Sequence, residues 1–145
     1  MKTTDPPVIV ENTIDADCQT VWNAITIHDE MVKWYFEENP AFEAKVGFET
    51  QFVIEVEDRK FTHCWKVTKV DPAKLIAYSW HYPEYPGAAV VTFNLIPKTD
   101  SQTTVRVTVD VTEDFPDHIP EFKRDSCVAG WEYFLKEQLA GYLKT

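Results

Sequence analysis

The chain has 145 residues, enough for one domain with a real core. Its 44% hydrophobic and 26% charged residues exclude a disordered chain. The 24 acidic and 14 basic side chains give a formal charge of −10, with no basic run longer than Lys123-Arg124, which excludes nucleic acid and an anionic membrane surface as partners.

In chain order, Asp5-Pro6-Pro7 precedes a strand predicted over Val8 to Ile14. Asp15 or Asp17 then suits a helix N-cap, and Cys18, Val21, Trp22 and Ile25 repeat as one apolar helical stripe. A short second helix is expected from about Asp29 to Trp34, with the loop after it ending near Pro40. From Val46 the period changes to two. Phe48, Thr50, Phe52, Ile54 and Val56 share one strand face, and Phe61, His63, Trp65 and Val67 share a face of the next. Val70 falls on the wrong parity, so a bulge is expected near Thr68. LIAYSWHY at 75–82 places Ile76, Tyr78, Trp80 and Tyr82 on one side. AAVVTFNLIP and TTVRVTVDV supply two more strands, and short turns between successive strands imply an antiparallel meander. The last predicted element is a helix from about Pro120 to Leu143, about 24 residues and roughly 36 Å long. Its buried stripe reads Cys127, Trp131, Phe134 or Leu135, Gln138 or Leu139, and Tyr142. Gly130 in its middle costs about 1 kcal/mol relative to Ala. It gives either closer approach to the sheet or room beside Trp131.

One domain over 1–145 is expected, of α+β class: a curved six-stranded antiparallel sheet around a long C-terminal helix, with two short helices after the first strand. Cys18, Cys64 and Cys127 fit no zinc or CxxC spacing and read as reduced and mostly buried. The opening MKTTDPPVIVENTI lacks the apolar run of a signal peptide, and no stretch approaches the roughly 20 apolar residues of a membrane helix, so a cytoplasmic protein is expected.

Several segments together carry a family pattern: IDADCQTVWNAIT at 14–26, VTKVDP at 67–72, KLIAYSW at 74–80, VTFNLIP at 91–97 and GWEYFLKEQLAGYL at 130–143. In this order and spacing the chain resembles the START-like helix-grip (SRPBCC) superfamily. Within it, the chain is similar to the group of the C-terminal domain of the activator of the 90-kDa heat-shock chaperone ATPase. WHYPEYPGAAVVTF at 80–93 also resembles the aromatic-proline turn of those activators. The resemblance implies a cavity between sheet and helix, which in this superfamily holds lipids, aromatics or polyketides.

The expected lining comprises Trp22, Phe52, Ile54 and Trp65, then Tyr78, Trp80, Phe93 and Val107, and Trp131 with Phe134 from the helix. Trp22 reads either as core or as a ligand contact, and Trp34 is expected near the cavity mouth. His63 sits between Phe61 and Trp65 by parity, where it either orients a ligand hydroxyl or carbonyl or is a neutral histidine bonded to the backbone. No GxSxG, HExxH or glycine-rich phosphate loop is present, so no catalytic residue, metal or cofactor is assigned. The leading expectation is a non-enzymatic domain that binds a small apolar or aromatic molecule. The alternative is a co-chaperone-like interaction module with the heat-shock chaperone as partner, using exposed turns at 35–38 and 82–86. A polyketide cyclase-like enzyme using His63, Tyr78 or Thr50 comes third. A monomer or weak dimer is expected.

Overall fold

Alternating apolar and polar residues become six strands, β1 (Val8–Ile14), β2 (Glu49–Val56), β3 (Arg59–Asp71), β4 (Leu75–His81), β5 (Ala88–Thr99) and β6 (Gln102–Glu113). The computed structural model describes residues 1–144. The sheet is antiparallel throughout in the order β1-β6-β5-β4-β3-β2, so β1 and β2 are its edges. The fold is the expected α+β arrangement, a curved sheet with a long C-terminal helix and short helices after the first strand. The β3–β4 register shifts between Val67 and Lys69, where the parity of Val70 placed the bulge.

Helix α1 (Cys18–Thr26) starts at Asp17, whose carboxylate accepts from the Thr20 amide at 2.7 Å. The Thr20 side chain first, and this amide with it, hold the Asp17 carboxyl below its ordinary range. Val21, Trp22 and Ile25 face inward as their spacing requires. The second helix, α2 (His28–Met31), is shorter and earlier than expected, and a turn carries the chain on through Trp34 and Tyr35.

The C-terminal helix departs most from its sequence reading. Pro120–Phe122 is a separate 3-10 turn, and Lys123 is extended at φ −79° and ψ 148°. The helix therefore starts at α3 (Arg124–Glu132) rather than at Pro120. It runs through a π-helical segment (Tyr133–Leu139) into α4 (Ala140–Leu143). The Asn12 side-chain amide on β1 donates to the Leu135 carbonyl at 3.1 Å, giving the widened turn a partner outside the helix. Trp131, Leu135 and Leu139 are buried along its inner side. The three cysteines are free thiols and half-buried, less enclosed than expected: Cys18 and Cys127 lie at the margin of the core, and Cys64 is on the face of β3 opposite His63 and Trp65.

Gly87 precedes β5 at φ +116°, and a Cβ there would overlap the Phe115 ring. Both the backbone conformation and the close approach demand glycine. Gly87→Ala is expected to cost about 2 kcal/mol or more through overpacking and strain. A thermal melt should show a loss of about 5 °C or more; an unchanged melting temperature would mean that Phe115 is not fixed there.

Candidate functional site

The sequence 34–36 turns inward as a unit. Trp34 is 2% exposed and its indole Nε1–H donates to the Ala24 carbonyl at 2.8 Å, so it is interior and not at the cavity mouth. Tyr35 is equally enclosed. Its ring lies between Trp34 and Trp65, with centroids at 4.8 and 5.4 Å and interplanar angles of 12° and 21°. Its hydroxyl meets that of Tyr78 at 2.9 Å, and burial pushes both phenols well above their ordinary range. A tyrosine oxygen finds its partner inside, which is why Tyr35 is not the exposed anchor expected for the 35–38 turn. The 82–86 turn is likewise half-turned inward. Tyr82 and Tyr85 pack on Phe61 at 5.7 and 5.3 Å and on Phe122 at 5.3 and 5.2 Å.

Phe52, Trp65, Tyr78 and Phe93 belong to this packed aromatic half. Trp65 touches Phe52 at 4.9 Å and Tyr78 at 4.8 Å, while Phe93 touches Tyr78 at 6.2 Å. Trp22 and Val107 are buried in the core and do not line the cavity, and Ile54 is half-buried on edge strand β2.

Beside the packed half lies a cavity of about 210 Å³ between α3 and strands β3 to β6. Of the expected lining residues, the structure brings His63, Trp80, Trp131 and Phe134 together around it. Sequence reasoning missed Phe36, Tyr82, Phe115 and Phe122, which also line this partly open cavity. Phe115 and Phe122, with centroids 5.0 Å apart, come from the segment between β6 and α3, where no periodicity marks a face. Cys127, Gly130, Trp131 and Phe134 line it from the helix at i, i+3, i+4 and i+7. That stripe was legible, and Gly130 within it is the clue to a void. A Cβ on Gly130 would meet nothing within 4 Å, so of the two readings of this glycine the structure has room beside Trp131.

Polar groups at the cavity are few. His63 is 6% exposed, and its Nδ1 lies 3.1 Å from the Phe61 carbonyl, to which it donates. Burial lowers its pKa to about 4, so the ring is neutral. The Trp80 indole N–H donates to the Tyr82 hydroxyl at 2.6 Å, and burial raises the Tyr82 phenol. Burial also pushes the Cys127 thiol up to about 11, which leaves it an inert wall. At the far end Glu121 takes a two-point contact from Arg59, Nε to Oε1 at 3.0 Å and Nη2 to Oε2 at 2.7 Å. This contact holds the Glu121 carboxyl below its ordinary range. It also ties the β2–β3 hairpin to the turn carrying Phe122. Phe36 and Phe134, 5.2 Å apart edge to face, line both the cavity and a surface groove beside the π-helical segment, and so form the partition between them. No group of three or more acidic, histidine or cysteine side chains is arranged to hold a metal among the described residues. No helix among them is long and apolar enough to cross a membrane.

A curved antiparallel sheet closed by a C-terminal helix over a ring-lined cavity defines a START-like helix-grip domain. The chain belongs to the family described as Activator of Hsp90 ATPase homolog 1-like protein, whose profile matches residues 15–144. Among solved structures it is similar to protein MLL2253 from Mesorhizobium loti, at 25% identity and a TM-score of 0.72 over 95% of this chain and 96% of that one. The Aha1 dimer from Colwellia psychrerythraea matches at 20% identity and a TM-score of 0.62, covering 90% of each chain. DynU16, a putative protein in the dynemicin biosynthetic locus, matches at 23% identity and a TM-score of 0.73. There the match covers 97% of this chain and 48% of DynU16, about half of its length. No functionally curated protein matches the sequence.

A neutral buried histidine makes stability depend on pH. Its folded pKa, about 4, lies below the roughly 6.5 of an exposed histidine. Between those values the unfolded chain holds a proton that the folded one does not, so His63 lowers stability as pH falls through that window. The contribution is full above about pH 6.5, and roughly 3 kcal/mol is lost by pH 4. Melting of His63→Gln should therefore decline less steeply than wild type from pH 6.5 to 4. Parallel curves would show that His63 titrates normally and is not enclosed.

Proposed function

We propose that this is a non-enzymatic binding domain that holds one small apolar or aromatic molecule in the cavity between α3 and the sheet. The cavity itself supports the reading: about 210 Å³, walled by rings, beside an aromatic half that is fully packed. An apolar cavity of about 150 Å³ accommodates benzene, so this one suits a single substituted ring or a compact bicycle. It is small for a sterol or a folded acyl chain, which need pockets nearer the roughly 300–1,000 Å³ of ordinary ligand sites.

Two further readings are weaker. A co-chaperone role has the family description in its favour. Against it, the aromatic residues of both candidate turns pack inward, leaving mainly Glu37, Glu38, Pro83, Glu84 and Pro86 outside. A change in the chaperone's ATPase rate on adding this chain would restore it. A cyclase role has the DynU16 neighbour in its favour. Burial, however, leaves His63 a weak base and Tyr78 a weak acid, and the Thr50 hydroxyl donates to Asn39 Oδ1 at 2.8 Å, whereas proton transfer at neutral pH is best served by groups poised near 7.

The test is thermal melting with ethylbenzene, palmitate and cholesterol, on wild type and Gly130→Leu. Ethylbenzene at about 100 times its dissociation constant adds roughly 2.7 kcal/mol, a rise of about 5–10 °C. Gly130→Leu should melt at or above wild type, since leucine is the better helix former, and should show no such rise. An equal rise in the variant, or none in wild type, would overturn the cavity as the binding site.

A further inference from the structure

The cavity carries one unmet acceptor and one unmet donor. His63 Nδ1 spends its proton on the Phe61 carbonyl, which fixes the tautomer and leaves Nε2 as a bare lone pair. Nε2 has no hydrogen-bond partner among the described residues and is not one of the sealed-in unpaired atoms, so on a residue only 6% exposed it keeps some open space beside it. Rings surround the imidazole: Phe36, Phe52 and Tyr82 at 4.9 Å and Trp80 at 5.4 Å. None of the phenylalanine or tryptophan rings offers it a paired N–H, because the Trp80 indole proton is already spent on the Tyr82 oxygen. That same bond makes the Tyr82 hydroxyl an acceptor from Trp80, so its own hydrogen is left to donate. Both residues line the cavity.

We propose that His63 Nε2 and the Tyr82 hydroxyl form a polar anchor that selects a ring-bearing hydroxyl, so that the ligand is a compact phenol. A hydroxyl donates once and accepts as well, and one such group satisfies both residues. A ketone or ether oxygen accepts only, and it leaves the Nε2 lone pair without a donor. Of the hydroxyl and carbonyl that parity allowed for His63, the fixed tautomer selects the hydroxyl. A site built around a hydroxyl rejects the analogue that lacks it more strongly than an apolar wall discriminates size. The inference rests on the cavity being the binding site.

Calorimetric titration with 4-ethylphenol, 4-ethylanisole and ethylbenzene separates the two. In wild type, 4-ethylphenol is expected to bind about tenfold or more tighter than either analogue, the scale of one buried group left unpaired. His63→Phe should abolish that preference while ethylbenzene still binds, and Tyr82→Phe should reduce it. Nitrogen NMR of wild type gives a readout independent of whether the variants fold: 4-ethylphenol should move the His63 Nε2 resonance upfield and ethylbenzene should not. Equal affinity for all three, or an unmoved Nε2 resonance with 4-ethylphenol bound, would overturn the anchor and leave the cavity reading standing. Failure of all three to bind would overturn both.

Discussion

The stacking of Tyr35 between Trp34 and Trp65 organises the rest of the interior. Flat rings fill space in slabs, and slabs meeting at steep angles leave gaps that branched aliphatic side chains would close. The stack is pinned at one end by the Trp34 bond to the Ala24 carbonyl and at its middle by the contact of the Tyr35 and Tyr78 hydroxyls, while the Trp65 indole N–H at the other end has no partner. The 34–36 segment thereby becomes a wall of the core. Phe36 then stands at the border, with the packed slab on one side and the void on the other.

The void persists for reasons that belong to the helix. Gly130 withholds a side chain where the inward stripe requires one, and Phe134 follows at the start of the π-helical turn. The extra residue per turn lets Leu135 and Leu139 seal the far half against the sheet while Phe134 remains at the border. The Arg59–Glu121 contact and the Gly87–Phe115 approach hold two lining residues, Glu121 and Phe115, in place. Few polar groups line the void, and the placement of His63 and Tyr82 there gives them a directional role that hydrophobic walls lack.

Much of the fold was legible because strand and helix periods differ so plainly here. Phe61, His63, Trp65 and Val67 alternate without interruption, and the wrong parity of Val70 located the bulge. What escaped depends on bonds between distant residues. The π-helical turn has its outside partner in Asn12, 123 positions earlier, and the inward fold of Tyr35 needs Tyr78, 43 positions later. The helix start was misplaced because Pro120 suits a 3-10 turn as well as an α-helical one. For the site, parity and helical spacing placed His63, Trp80, Trp131 and Phe134. Phe115 and Phe122 came from irregular chain that has no period to read.

On the proposed reading a small ring sits beside Gly130 under the helix. The most direct measurement is a crystal soaked with 4-bromophenol, its bromine located by anomalous scattering. One strong peak is expected, bounded by Phe36, Gly130 and Trp131, with the hydroxyl directed to His63. Bromine found only on the outer surface of the sheet, with the space beside Gly130 unchanged, would contradict it.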